Sequence, residues 1–93
     1  MQICNGNIAY KCSKIKTNNV GETEVVRFTI LEPISTADVA KLFEDNLFYF
    51  YDDVLNGRFI ETNNKKLVGL SITHNADFTH TIKIKLKKEL FLK

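Results

Sequence analysis

Hydrophobic and polar positions alternate most cleanly toward the C-terminal end of the chain. Phe78, His80, Ile82, Ile84 and Leu86 share one parity, and Thr79, Thr81, Lys83, Lys85 and Lys87 share the other. This is the period of a strand with one buried and one solvated face. Residues 67–74 form a second strand-like run, and Asn75-Ala76-Asp77 between the two predicts a three-residue hairpin loop. With His74 then facing Phe78, Ile72 faces His80, and the two imidazoles lie diagonally near each other on one sheet face. At the other end of the chain, Asn5-Gly6 between Ile3-Cys4 and residues 7–10 predicts a two-residue hairpin turn. Residues 17–22, rich in Asn and Gly, read as a polar loop. Residues 24–31, with Val25, Val26, Phe28, Thr29 and Ile30, read as a strand paired with that of Tyr10. Residues 58–62 make a further short run that ends in Asn63-Asn64.

One helix interrupts the strands. Ser35 offers a capping hydroxyl, Asp38 follows three residues later, and Ile34 and Val39 stand where a hydrophobic staple forms. Val39, Leu42, Phe43 and Leu47 keep helical spacing while Asp38, Lys41, Glu44 and Asp45 fall elsewhere, which predicts an amphipathic helix from 35 to about 46. Phe50, Tyr51, Val54 and Leu55 could extend that stripe to a cap at Asn56-Gly57. The aromatic run at 48–51 has low helix propensity, however, and Asp52-Asp53 would oppose the dipole of a helix C-terminus, so the run is read as a strand through Tyr51. The expected fold class is α+β, with one amphipathic helix packed on a mainly antiparallel sheet of five or six strands in a single domain, 1–93.

Composition agrees with that size and class. The 93 residues are 44% hydrophobic and 26% charged, the balance of a chain that folds in water. No apolar run approaches the roughly 18 residues of a membrane span, and the first residues lack the pattern of a secretory signal, so an intracellular protein with no membrane partner is expected. Cys4 and Cys12 match neither zinc nor redox spacing and are expected to be reduced. With the turn at Asn5-Gly6, Cys4 faces Asn7, and a bridge to Cys12 would distort the hairpin.

Candidate chemistry is sparse. His74 and His80 fall short of the three or four ligands of a zinc site, Asp77 on the loop being the one further candidate nearby, and they read as packing or rim histidines. The segment from Asp52 to Gly57 meets a calcium loop at only a few positions and lacks its closing Glu. No Gly-rich phosphate loop or Gly-x-Ser-x-Gly elbow occurs. No catalytic residue, cofactor or metal is assigned, and the expectation is a protein that is not an enzyme.

Charge changes the picture more. The formal net charge is only +2, yet residues 1–31 carry +2, residues 32–61 carry −5 and residues 62–93 carry +5. An acidic helix end and aromatic turn (Glu44, Asp45, Tyr49, Tyr51, Asp52, Asp53) therefore form one candidate contact surface, and Lys83, Lys85 and Lys87 form another. Complementary patches on copies of one chain favour head-to-tail association, and Tyr is enriched at interfaces. The lysine row, with Lys65, Lys66 and Lys88 near it, could instead follow a phosphate backbone, with the aromatics at 48–51 as stacking surfaces. Lysines that guard an edge strand, and aromatics buried beneath the helix, are the structural alternatives.

The stretches Phe28-Thr29-Ile30, Ile34-Ser35-Thr36-Ala37-Asp38-Val39-Ala40-Lys41-Leu42-Phe43, Asp52-Asp53, Lys66-Leu67-Val68-Gly69-Leu70-Ser71-Ile72 and Thr81-Ile82-Lys83-Ile84-Lys85-Leu86, with the strand pair near residues 3–10, give a layout that resembles small prophage-encoded proteins of Gram-positive bacteria. Members of that group are similar to virion-associated or tail-region proteins. The resemblance implies a non-enzymatic structural or accessory protein, in the cytoplasm of a bacterial host or in the virion. It would act through protein-protein contacts, including contacts with copies of itself. The alternatives are a small nucleic-acid-binding module that uses the basic C-terminal hairpin, and an inhibitor or regulator of a host protein.

Overall fold

A computed structural model describes residues 1–45, 47–60 and 65–88. Among them the elements run β1 (Gln2–Asn5), β2 (Ile8–Lys11), β3 (Lys16–Val20), β4 (Thr23–Ile30), α1 (Thr36–Leu42), β5 (Tyr49–Asp52), β6 (Gly57–Ile60), β7 (Lys65–His74) and β8 (His80–Lys88). The chain is mostly antiparallel sheet with one helix, as expected. Its strands, however, form two four-stranded sheets in the orders β2-β1-β5-β6 and β3-β4-β8-β7, and not one sheet of five or six.

The division arises where the chain leaves β2. There Cys12 makes a single bridge to Ile30 in place of a ladder. Cys12 N donates to Met1 O at 3.0 Å, Ser13 N to Thr29 O at 2.8 Å and Leu31 N to Lys11 O at 2.9 Å. Strand β4 consequently pairs with β3 and β8, and meets the Tyr10 strand only through this corner. That corrects the expected pairing of 24–31 with the Tyr10 strand.

Two glycine turns set the registers. Gly6, at φ 60°, and Asn7 form the first loop, so Asn5 faces Ile8 and Cys4 faces Ala9, one residue away from the expected turn. Positive φ at the first loop position is the type II′ pattern, which glycine adopts without a Cβ clash. Gly21, at φ 62°, repeats it between Val20 and Thr23. The expected polar loop over 17–22 is therefore mostly strand β3, whose five residues are all exposed.

Helix α1 begins as its sequence specifies. Ser35 is the N-cap, its Oγ accepting from Asp38 N at 3.1 Å. The helix ends at Leu42, short of the expected limit near position 46, which lies outside the described residues. Phe43 leaves helical geometry and turns its ring into the core, where it meets Phe48 edge-on at 4.9 Å. Seven residues are too few for a stable isolated helix, so α1 depends on burying Val39 and Leu42. Ser35→Ala is expected to lower stability by about 1 kcal/mol. The measurement is the urea midpoint at constant slope, and an unchanged midpoint would show that the cap carries no net stability.

Tyr49, Phe50 and Tyr51 of the aromatic run lie in strand β5 and Phe48 just before it, with Phe48 and Phe50 wholly buried. Ile3 and Phe50 of the first sheet meet Val26, Phe28, Ile30, Ile82, Ile84 and Leu86 of the second, and α1 with Phe43 and Phe48 completes the core. Strand β6 takes the start of the 58–62 run, while the rest of it, through Asn63-Asn64, lies outside the described residues. His74 pairs directly with His80, so the last hairpin loop has five residues and not three. Phe78 sits in that loop at φ 68°, 68% exposed, away from the buried parity expected for it. From His80 onward the alternation of β8 is as expected, with His80, Ile82, Ile84 and Leu86 buried. No helix among the described residues is long and apolar enough to cross a membrane.

Candidate functional site

The second sheet turns Val26, Phe28 and Ile30 of β4 and Ile82, Ile84 and Leu86 of β8 toward the core. Parity then sends Thr23, Val25 and Arg27, and Lys83, Lys85 and Lys87, to the opposite, outward face. Register gathers the charges: Lys16, Arg27 and Lys83 stand in one row across β3, β4 and β8, Asn18, Val25 and Lys85 form the next, and Lys66 faces Lys87 across β7 and β8. Adjacent strands are about 4.8 Å apart and alternate residues about 6.7 Å apart, so these six cations share one small surface.

The surface is concave. Lys16, Arg27, Lys83 and Lys85 border a groove of about 600 Å³ whose floor includes Val20, Val25 and Val68. A bulge between Leu67 and Gly69 places Val68 beside the groove. Gly69 lies under Lys85, where any Cβ would come within 3.3 Å of Lys85 Cδ. The missing side chain lets the Lys85 stem lie flat across β7.

The charges are unbalanced. Among the described residues, Glu24 is the sole acid in the strands of this sheet, and it points inward, paired with Lys65 Nζ at 2.6 Å. Lys16 against Arg27, Arg27 against Lys83 and Lys66 against Lys87 are like charges directly opposite one another, an arrangement that destabilises a sheet. Edge protection can explain Lys16 on β3 and Lys66 on β7 but does not account for Arg27, Lys83, Lys85 and Lys87, because β4 and β8 are interior strands. The aromatics once paired with the lysine row as stacking surfaces are elsewhere: Phe48 and Phe50 are in the core, and Tyr49 and Tyr51 are half-buried on the first sheet.

The predicted acidic residues do not gather into one patch, and most of them hold turns. Glu44 is exposed beside Asp45, which accepts from Asn5 Nδ2 at 2.9 Å and from Leu47 N at 3.1 Å. The Asn5 bond, then the Leu47 bond, hold the Asp45 carboxyl below its ordinary range. Asp52 accepts from Val54 N at 2.9 Å, shaping the turn to β6, and Asp53 pairs with the Met1 ammonium at 3.5 Å. The Tyr51 hydroxyl donates to Asn56 Oδ1 in the same turn. Strand β5 separates the two acid pairs, and neither pair adjoins the lysine face.

The imidazoles of His74 and His80 lie closer than the diagonal placement predicted, with Nδ1 of His74 3.1 Å from Nε2 of His80. Thr36 Oγ1 is 3.3 Å from that same Nε2, while His80 Nδ1 is buried without a partner. The tautomer of each ring sets which of the two facing nitrogens donates to the other. Among the described residues no group of three metal-ligating side chains occurs.

Cys4 and Cys12 are both free and buried. Desolvation pushes the Cys12 thiol up to about 11, with Cys4 and Asp53 adding to the shift and the N-terminal ammonium opposing it. Such a thiol is a poor nucleophile. Because the folded chain keeps this proton longer than the unfolded one, its contribution to stability is complete below about pH 9 and is lost as pH rises toward about 11. Unfolding free energies across that window should fall more steeply for the natural chain than for Cys12→Ala. Equal slopes would contradict the shift.

Sequence reasoning identified Lys83, Lys85 and Lys87 and placed Lys66 near them, as the pairing of Lys66 with Lys87 bears out, but missed Lys16 and Arg27 as their companions. Arg27 could have been found from its parity between Val26 and Phe28, whereas Lys16 needed the β3 register. Comparison with family models, curated proteins and solved structures gives no match to this chain, so the functional reading rests on this surface.

Proposed function

We propose that the chain is a non-enzymatic accessory protein that binds nucleic acid through the phosphate backbone, using the outward face of the second sheet. The carrying observation is that six cations share this face with no acid at the outward positions of its described strands, at the cost of three opposed like-charge pairs. Conflict between local stability and a shared surface charge is characteristic of functional sites. The absence of an aromatic side chain from the outward positions of β3, β4, β7 and β8 favours phosphates over bases as the contacted groups. A polyanion is thus bound by charge and recognised without base sequence. The setting suggested by the resemblance to prophage-encoded proteins accommodates such a role.

Binding to a short fluorescent DNA duplex tests this. Four to six phosphate contacts give a slope of about −4 to −5 in log K against log salt. A slope near zero overturns the proposal. Contact between copies, or with another protein, is a second reading, favoured by the exposed carboxylates Glu44 and Asp53 lying away from the basic face.

A further inference from the structure

Of the four glycines, Gly69 is the one inside a strand, since Gly6 and Gly21 make turns and Gly57 opens β6. Its backbone does not call for glycine, because among the glycines only Gly6 and Gly21 have positive φ. A glycine there weakens the strand, through chain entropy and through the side chain it fails to pack. What it supplies is space. Gly69 stands directly opposite Lys85, and a Cβ at Gly69 would lie 3.4 Å from Lys85 Cβ, 3.5 Å from Cγ and 3.3 Å from Cδ. Opposed Cβ atoms in a sheet ordinarily stand about 4.5 to 5.5 Å apart. The bulge at Val68, one residue away, is the local bend that accompanies this close approach.

We infer that Gly69 is a positioning residue for Lys85: it seats the lysine stem in a trough across β7, so that the charge reaches a phosphate lying over that strand. The inference rests on the reading of the basic face given above. Lys85 borders both the groove of about 600 Å³ and an adjoining one of about 320 Å³ over β7, where Lys83 and Ser71 are its neighbours. Strand β7 itself carries no lysine or arginine beyond Lys66. Lys85 is thus the charge that extends the face over β7. Ordering a free lysine stem opposes binding, and a stem already seated in a trough has less freedom to lose. Gly69 gives up strand stability in favour of charge placement, the same conflict that the opposed cations show.

A double-mutant cycle tests the coupling, with a short fluorescent DNA duplex titrated over a salt series into the natural chain, Gly69→Val, Lys85→Ala and the double variant. Valine suits a strand, but its Cγ atoms take the space of the Lys85 stem. Gly69→Val should weaken binding about five- to tenfold at 0.1 M salt and reduce the salt slope by about 1, as the loss of one phosphate contact does. In the Lys85→Ala background it should change neither. Any melting temperature that the valine costs by crowding the stem should return in the double variant, while binding should not. Equal weakening in both backgrounds marks a purely structural glycine and overturns the inference. In the natural chain itself, proton NMR should place the Gly69 α-protons beside the Lys85 γ- and δ-protons, with and without duplex. Absence of these contacts, or their loss when duplex binds, overturns the inference even if Gly69→Val does not fold. Salt-dependent binding that Gly69→Val leaves untouched refutes the role of Gly69 alone, whereas a natural chain without salt-dependent binding refutes the reading of the face and this role with it.

Discussion

Phe28→Ala is expected to lower the unfolding free energy by about 3 to 5 kcal/mol, the largest stability loss of any change considered for this chain. Phe28 is 2% exposed on β4, and its ring meets Phe50 of the first sheet edge-on at 4.9 Å and Phe43 beyond the helix at 6.5 Å. It is therefore the ring through which both sheets and the helix end pack together. Alanine removes the transfer free energy of the ring and leaves a cavity that neither sheet can close without shifting the other. A chain of this size has a total stability of roughly 5 to 14 kcal/mol, so the variant should melt about 15 to 30 °C lower. The exposed Phe78 supplies the contrast, because Phe78→Ala should change stability by less than about 0.5 kcal/mol. Urea denaturation of the three proteins decides the matter. A loss below about 1.5 kcal/mol for Phe28→Ala would mean that the sheets are not joined through this ring.

The features legible in the sequence are those fixed by near neighbours. Ser35 and Asp38 marked the helix start because a cap is a local bond. The β8 alternation was readable because parity needs only one strand. Long-range pairing was harder to see. Nothing near Cys12 shows that the chain passes there from one sheet to another, since the bridge to Ile30 spans 18 positions. Strand β3 was hidden because an edge strand solvated on both faces has no hydrophobic period to detect. The same limit governed the site. Lys83, Lys85 and Lys87 lie on one strand and were found together, whereas Lys16 and Arg27 join them only through two ladders. The block charges of −5 and +5 located the acidic and basic segments along the chain. They could not show that Asp45, Asp52 and Asp53 are engaged by Asn5, Val54 N and the Met1 ammonium while the lysines face outward.

The double change Lys83→Glu/Lys85→Glu should abolish salt-dependent retention on DNA while leaving the fold intact or slightly more stable. Both consequences follow from one geometry. Lys83 stands opposite Arg27, so a carboxylate there replaces repulsion by attraction worth a few tenths of a kcal/mol, and Lys85 lies opposite the uncharged Val25. For a phosphate backbone, the two reversals remove two cations and add two anions at the centre of the six. Single neutralisations should be graded: Lys83→Ala, Arg27→Ala and Lys16→Ala should each weaken binding to any DNA sequence equally and reduce the salt slope by about 1. Arg27 is the sharpest of these. A hairpin-only site would be indifferent to it, while a site spread over the sheet face requires it. Glu44→Gln with Asp53→Asn, on the far side of the molecule, should leave affinity unchanged or raise it slightly. Fluorescence anisotropy at several salt concentrations, with thermal melts of each variant, measures both quantities. If the double reversal binds as tightly as the natural chain, the face is not the site. If binding is lost only together with the melting transition, the lysines support the fold and not the contact. Loss of binding with an unchanged or higher melting temperature is the outcome that a structural role for these lysines does not produce.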